Sequence, residues 1–166
     1  MTIRTALETD LQAIVDIYNQ AVSLGNATAD TEPTNIESRR RWLAAHSVDQ
    51  HPVYVEESEG VVRGWCSLSP YRAGRKALRY TAEISYYVDN QCQRQGIASR
   101  MIEHAMQDCS RLNIKTLFAI ILDTNQGSIS LLKKFGFEEW AYMPGVADFD
   151  GAECGHTYLG KRVERI

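Results

Sequence analysis

The run "IKTLFAIIL" (114–122) constrains the fold more than any other stretch, because it is continuously apolar and rich in β-branched residues. A strand of that kind has no face to show to water, so it suits a central position in a sheet covered on both sides. Other segments supply the cover. "TDLQAIVDIYNQAV" places Leu11, Ile14, Val15, Tyr18 and Val22 at helical spacing, and Thr9 with Gln12 fits a capping box at its start. A turn-rich loop over 23–35 follows, in which Pro33 blocks helix propagation. Thr34 with Glu37 forms a second capping box ahead of "IESRRRWLAAH". "IASRMIEHAMQDC" (97–109) reads as a third helix. "NQGSISLLKKFGF" (125–137) reads as a short fourth, started at Asn125 or a neighbour and stopped at Gly136.

Strands fill the intervals. "TIRTA" (2–6) alternates, and "VYVEES" (53–58) with "VVRGWCSLS" (61–69) makes a hairpin turning at Glu59–Gly60. A basic connector, "PYRAGRKALRY" (70–80), leads to the strand "TAEISYYV" (81–88). Two closing strands are expected near 137–143 and 156–163, flanking the loop "PGVADFDGAECG". The order β-α-α-β-β-β-α-β-α-β-β describes an α/β chain with one mixed sheet and helices on both faces. A chain of 166 residues without repeats or linkers suits a single domain over 1–166.

Composition removes several function classes. A net charge of −3 and a pI near 5.8 argue against a general nucleic-acid binder. No apolar run approaches the roughly 18–20 residues of a membrane helix, and "MTIRTALETDLQ" lacks the apolar core of a signal peptide. Cys66, Cys92, Cys109 and Cys154 show no paired spacing, which reads as reduced thiols of a cytoplasmic protein and suggests neither a zinc site nor a disulfide framework. His46, His51, His104 and His156 add no metal motif, so no metal is expected.

The candidate chemistry starts at "QCQRQGIAS" (91–99), between a strand and a helix. Gln93-x-x-Gly96-x-Ala98 is neither of the familiar glycine-rich phosphate motifs. Gly96 nevertheless lets a ligand approach the main chain, Ala98 keeps the first helical turn bare, and Arg94 can add charge from the rim. The unpaired N–H groups of that turn favour a pyrophosphate. A plain glycine turn is the alternative, and the loop alone does not choose between them.

The wider pattern does. The loop, the later "NQGSISLLKKFGF" and the strand before the loop together resemble the GNAT superfamily of acyl-CoA-dependent N-acyltransferases. "IYNQAV", "DTEP", "RRRWL", "YTAEISYYV" and "MPGVA" are similar to the branch containing phosphinothricin and methionine-sulfoximine acetyltransferases. The resemblance implies a mixed, mostly antiparallel central sheet and a homodimer. It implies acetyl-CoA as acyl donor, with Tyr86, Tyr87 and Val88 along its pantetheine arm. Arg94, Gln95, Gly96, Ile97, Ala98 and Ser99 would surround the pyrophosphate, and Asn125 would hold the donor near its reactive end.

Glu83 falls where the family's catalytic glutamate stands, and would accept the proton an ammonium must lose before it can attack a thioester. A water-facing edge glutamate is the bland alternative. Arg72, Ala73 and Gly74, with Glu83, Ile84 and Ser85, would form the acceptor side, where guanidinium donors suit a carboxylate or phosphinate. The implied reaction is direct acetyl transfer to the amino group of a small amino acid or analogue, such as phosphinothricin or methionine sulfoximine or sulfone. The alternatives are a silent acyl-CoA-binding module and a protein N-terminal acetyltransferase. Neither nucleic acid nor membrane is expected as a partner.

Departures from the family pattern are specific. Ile84 stands where the close branch has histidine, Ala29 replaces an aromatic residue, and "GAECGHTYLG" replaces the usual C-terminal motif. Leu132 occupies the position from which a tyrosine or histidine commonly protonates the leaving thiolate. Cys92 has no histidine near it in sequence and is not a candidate nucleophile. Tyr80, Tyr86 and Tyr87 read as sheet residues rather than acids, and Trp42, Trp65 and Trp140 as core or interface aromatics.

Overall fold

The apolar run becomes a strand packed from both sides, with Leu117 and Ala119 fully buried on one face and Phe118 buried on the other. The computed structural model describes residues 1–163, and the last three residues of the expected 1–166 domain lie outside them. Among the described residues the strands are β1 (Thr2–Thr5), β2 (Val53–Ser58), β3 (Val61–Pro70), β4 (Thr81–Val88), β5 (Thr116–Leu122), β6 (Glu138–Phe149) and β7 (Ala152–Arg162). They form one sheet in the order β1-β2-β3-β4-β5-β7-β6, with β4 and β5 parallel and every other neighbouring pair antiparallel. The helices are α1 (Leu11–Leu24), α2 (Ile36–Ala44), α3 (Ile97–Asp108) and α4 (Gln126–Lys134).

Strand alternation divides the core between the two faces. Cys66, Leu68, Ala82 and Ile84 point toward α3 and α4, where Met101, Ile102, Ala105 and Leu132 complete the larger core. Val55, Val62 and Trp65 point the other way and meet Ile14, Ile17 and Tyr18 of α1. Gly64 permits close docking of α3: an added Cβ would come within 3.0 Å of Ile97 Cγ2, Met101 Cε and the Tyr87 carbonyl oxygen. All four cysteines are free and buried. No described helix is long and apolar enough to cross a membrane.

Three local expectations are corrected. The first helix is not opened by a Thr9–Gln12 box: a 3₁₀ turn over Glu8–Asp10 precedes it. Asp10 there accepts the Leu7 N–H and two bonds from the Arg4 guanidinium, so a tertiary ion pair supplants the local cap. The second helix is capped by Asn35, whose Oδ1 accepts the Ser38 N–H at 2.8 Å, while Thr34 is tied through its main chain to Asn19. The expected loop "PGVADFDGAECG" is mostly strand. β6 and β7 form a long hairpin turning at Asp150–Gly151, both at positive φ. Pro144 is tolerated because β6 is the sheet edge and its register shifts between Met143 and Ala147.

Of the tryptophans, Trp65 is fully buried, Trp42 is half-buried beside it, and Trp140 is exposed on β6 over Gly160.

Candidate active site

The ladder between β4 and β5 holds three pairs, Thr81–Thr116, Ala82–Leu117 and Glu83–Phe118, and then stops. Beyond it β4 stays on β3 as far as Gly64–Val88, while β5 stays on β7 as far as Leu122–His156. Each strand thus keeps its outer partner and loses its inner one. The two diverge into a wedge whose facing main-chain groups can pair with an extended ligand.

A cleft of about 760 Å³ occupies this wedge. Tyr86, Tyr87 and Val88 line one wall and Ile120 and Ile121 the other, while Asn125 and Ser128 close the α4 side. Arg94, Gly96, Ile97, Ala98 and Ser99 form the mouth. Gln95 lies outside the lining and serves the loop instead, its carbonyl accepting Arg100 Nη1 at 2.9 Å.

The mouth is built for an anion. Gly96 is the N-cap of α3 at φ 78°, in the left-handed region where glycine is at ease, and no side chain caps the first turn. The N–H groups of that turn, with the helix dipole behind them, favour negative charge. Arg94 adds exposed charge at the rim, itself at φ 62°. Two residues absent from the sequence reading hold the loop. Arg100 reaches from α3 to Glu56 on β2, with contacts of 2.5 and 3.2 Å to a carboxylate that is fully buried. An arginine on a helix face with a glutamate in a distant strand leaves no local pattern, so no spacing signals this pair. Asn125 is the N-cap of α4, accepting the Ser128 N–H at 3.2 Å.

Glu83 stands at the vertex of the wedge, half-buried, and burial alone raises its pKa above the ordinary carboxylate value. Its cross-strand neighbour on β3 is Ser69. Ser69 is tied to His46 Nε2 at 3.2 Å, and His46 Nδ1 lies 2.7 Å from the Trp42 carbonyl, which fixes the proton on Nδ1. Burial lowers the pKa of His46, favouring that neutral form. Strand alternation puts Glu83, Ser85 and Tyr87 toward α1 and α2. Ile84 points the opposite way, 1% exposed in the core, so its side chain is not on the face that carries Glu83.

Arg72, Ala73 and Gly74 line a separate cavity of about 570 Å³, formed with Arg75, Lys76 and Arg79 of the connector. Glu83 lines neither this cavity nor the cleft in the wedge. The connector nonetheless runs beside it, since Tyr71 packs edge-on against Phe118 at 5.1 Å and its N–H bonds the Thr81 carbonyl. Tyr80 is half-buried next to Arg79 and Lys115. Cys92 is buried beside the loop.

Comparison with known proteins agrees with this geometry. The model of the acetyltransferase (GNAT) family matches residues 11–137. The Bacillus subtilis (strain 168) protein YwnH is 38% identical over 164 residues, covering 98% of this chain and 99% of its own. The L-methionine sulfoximine/L-methionine sulfone acetyltransferase of Salmonella typhimurium (strain LT2) is 34% identical over 164 residues, covering 99% and 95%. A GNAT superfamily phosphinothricin acetyltransferase from Sinorhizobium meliloti, solved in complex with acetyl-CoA, superposes with a TM-score of 0.91 at 25% identity, covering 98% of this chain and 88% of that one. A parted β4–β5 pair facing an uncapped helix, in a chain so matched, places this protein in the acetyltransferase (GNAT) family.

Proposed function

We propose that the protein transfers the acetyl group of acetyl-CoA to the α-amino group of a small amino acid or analogue, phosphinothricin and methionine sulfoximine or sulfone being the leading candidates. The observation that carries this is the position of Glu83 at the point where β4 and β5 part. The wedge suits an extended amide-bearing arm, and the mouth at Gly96 to Ser99 suits a pyrophosphate, so the donor's two ends find complementary groups. Asn125, at the cap of α4, holds the donor near its reactive end.

Glu83 takes a proton from the acceptor ammonium, directly or through water. Its raised pKa makes it a better base than an exposed carboxylate, and such help is typically worth about 10²–10⁴ in rate. Main-chain N–H groups freed at the wedge polarise the thioester carbonyl as negative charge develops on its oxygen. Arg72, with Ala73 and Gly74, holds the acceptor's acidic group from the connector beside Phe118.

One GNAT domain over 1–166, a cytoplasmic setting and a homodimer belong to the same reading. Four unpaired buried thiols support the second, and the exposed apolar side chains of Trp140, Tyr142, Met143 and Val146 on edge strand β6 support the third.

The test is CoA-thiol release from acetyl-CoA over a panel of amino acids, phosphinothricin, methionine sulfoximine and sulfone, a polyamine and a peptide. Release confined to small amines bearing an acidic group is the expected result. Release with the peptide alone would indicate an N-terminal acetyltransferase. Binding of acetyl-CoA without release on any amine would indicate a silent binding module.

A further inference from the structure

The ladder between β3 and β4 carries Trp65–Tyr87, Ser67–Ser85 and Ser69–Glu83 on the face that turns toward α1 and α2. The alternate pairs, Cys66–Tyr86 and Leu68–Ile84, face the larger core on the other side. Ser69 is therefore the residue directly opposite Glu83 on a shared face, and such residues hold their Cβ atoms about 4.5–5.5 Å apart. Both side chains are half-buried and so keep some contact with solvent. No hydrogen bond joins them, and Glu83 feels burial without any bonding partner among the described residues.

The direction of the Ser69 hydroxyl is decided by a chain of three groups. The Trp42 carbonyl can only accept, so His46 Nδ1, 2.7 Å away, carries a hydrogen, and Nε2 of the neutral ring is then a bare acceptor. Ser69 must give its one hydrogen to that Nε2, at 3.2 Å. Its lone pairs are what remain for the Glu83 side. Burial lowers the pKa of His46 and so favours the neutral ring, which packs 4.6 Å from that of Trp42 between centroids. A carboxylate and a hydroxyl that both present lone pairs cannot satisfy each other. They call for a donor with two hydrogens placed between them.

We propose that Ser69 is a second binding residue for the acceptor amine, its Oγ accepting one N–H while Glu83 takes the proton from another, and that His46 is the positioning residue that keeps Ser69 an acceptor. The assignment rests on the acetyl-transfer reading above. In the proton step one N–H bond of the ammonium breaks, an O–H bond forms on Glu83, and the electron pair stays on nitrogen. A remaining N–H held by Ser69 stops rotation about the carbon–nitrogen bond, so the new lone pair keeps one direction. The pair also favours nitrogen over oxygen as nucleophile. An alcohol has one hydrogen to give and can serve Glu83 or Ser69 but not both.

The test uses whichever amine of the thiol-release panel the wild type turns over fastest. Ser69→Ala should lower kcat/KM for that amine about 10- to 30-fold, with KM for acetyl-CoA and the melting temperature nearly unchanged. Ser69→Thr keeps the hydroxyl and should stay within about threefold of the wild type. His46→Phe keeps a ring beside Trp42 but offers Ser69 no acceptor. It should slow the wild type by a factor comparable to that of Ser69→Ala, yet slow the Ser69→Ala protein less than about twofold, because it acts only through Ser69. Full activity of Ser69→Ala would overturn the assignment and leave acetyl transfer standing. A loss that threonine does not restore would also overturn it, as would a His46→Phe effect of equal size in both backgrounds, each showing a packing role. A wild-type protein that releases no thiol with any amine would overturn the acetyl-transfer reading and this assignment with it.

Discussion

Glu83 and Phe118 are the last residues to pair β4 with β5, so the carboxylate stands where the sheet opens. A side chain held there is half out of water at the end of the paired ladder, and that setting underlies the first prediction.

Replacing Glu83 by Gln should lower kcat/KM by about 10²–10⁴ in the thiol-release assay. Burial raises the folded-state pKa of Glu83, so the wild-type rate should climb with pH through a value above that of a free carboxylate. The variant should lose that limb. The same shift has a stability consequence of opposite sign. The folded state holds the proton more tightly than the unfolded one, so this group's contribution is full below the unfolded pKa and is lost as pH rises through the folded pKa. The Gln variant should therefore melt at or above the wild-type temperature at neutral pH, while being nearly inactive.

Arg100→Ala should destabilise the fold by roughly 3 kcal/mol, as expected when a buried carboxylate loses the arginine paired with it. Glu56 would be left fully buried and uncompensated on β2. The Gln95 carbonyl would lose its 2.9 Å contact as well, so KM for acetyl-CoA should rise more than kcat falls. Denaturant titration and steady-state kinetics on one preparation separate the two effects.

Gly64→Ala tests how closely α3 must dock. Of the three contacts at 3.0 Å, Met101 Cε can swing aside, but the main-chain oxygen of Tyr87 yields only if β4 itself moves. A cost of about 1–3 kcal/mol is expected. Because Ile97 opens α3, weaker acetyl-CoA binding by isothermal titration should accompany it.

Arg72→Ala should raise KM for the acidic-group acceptor at least about tenfold while leaving acetyl-CoA affinity unchanged, since Arg72 lies outside the donor cleft. Equal KM values in the two proteins would remove Arg72 from the acceptor site.

Much of this architecture was legible from local chemistry. The apolar run at 114–122, the Glu59–Gly60 turn, the Asn125 cap and the Gly136 stop are determined by residues within a few positions of one another. What escaped was set by tertiary pairing. Asp10 is taken by Arg4 of β1, and Glu56 on β2 is matched to Arg100 on α3. Pro144 and Gly145 carry loop chemistry but fall on an edge strand where a shift of register absorbs them. In the site, one cleft brings Tyr86 to Val88 together with Arg94 and Gly96 to Ser99. The Ser69–His46 contact beside Glu83 left no trace in the sequence, because a pairing across 23 positions is a property of packing and has no counterpart in spacing.

The four buried cysteines turn the folded chain into a silent background for thiol chemistry. Burial raises the pKa of Cys66, Cys109 and Cys154, with Cys109 pushed up to about 12, and only thiolates react readily with disulfide reagents. A colorimetric thiol reagent added to the native enzyme should therefore register released CoA and little else. In denaturant the same reagent should find all four sulfurs, so its rate of uptake under native conditions times how often the molecule opens.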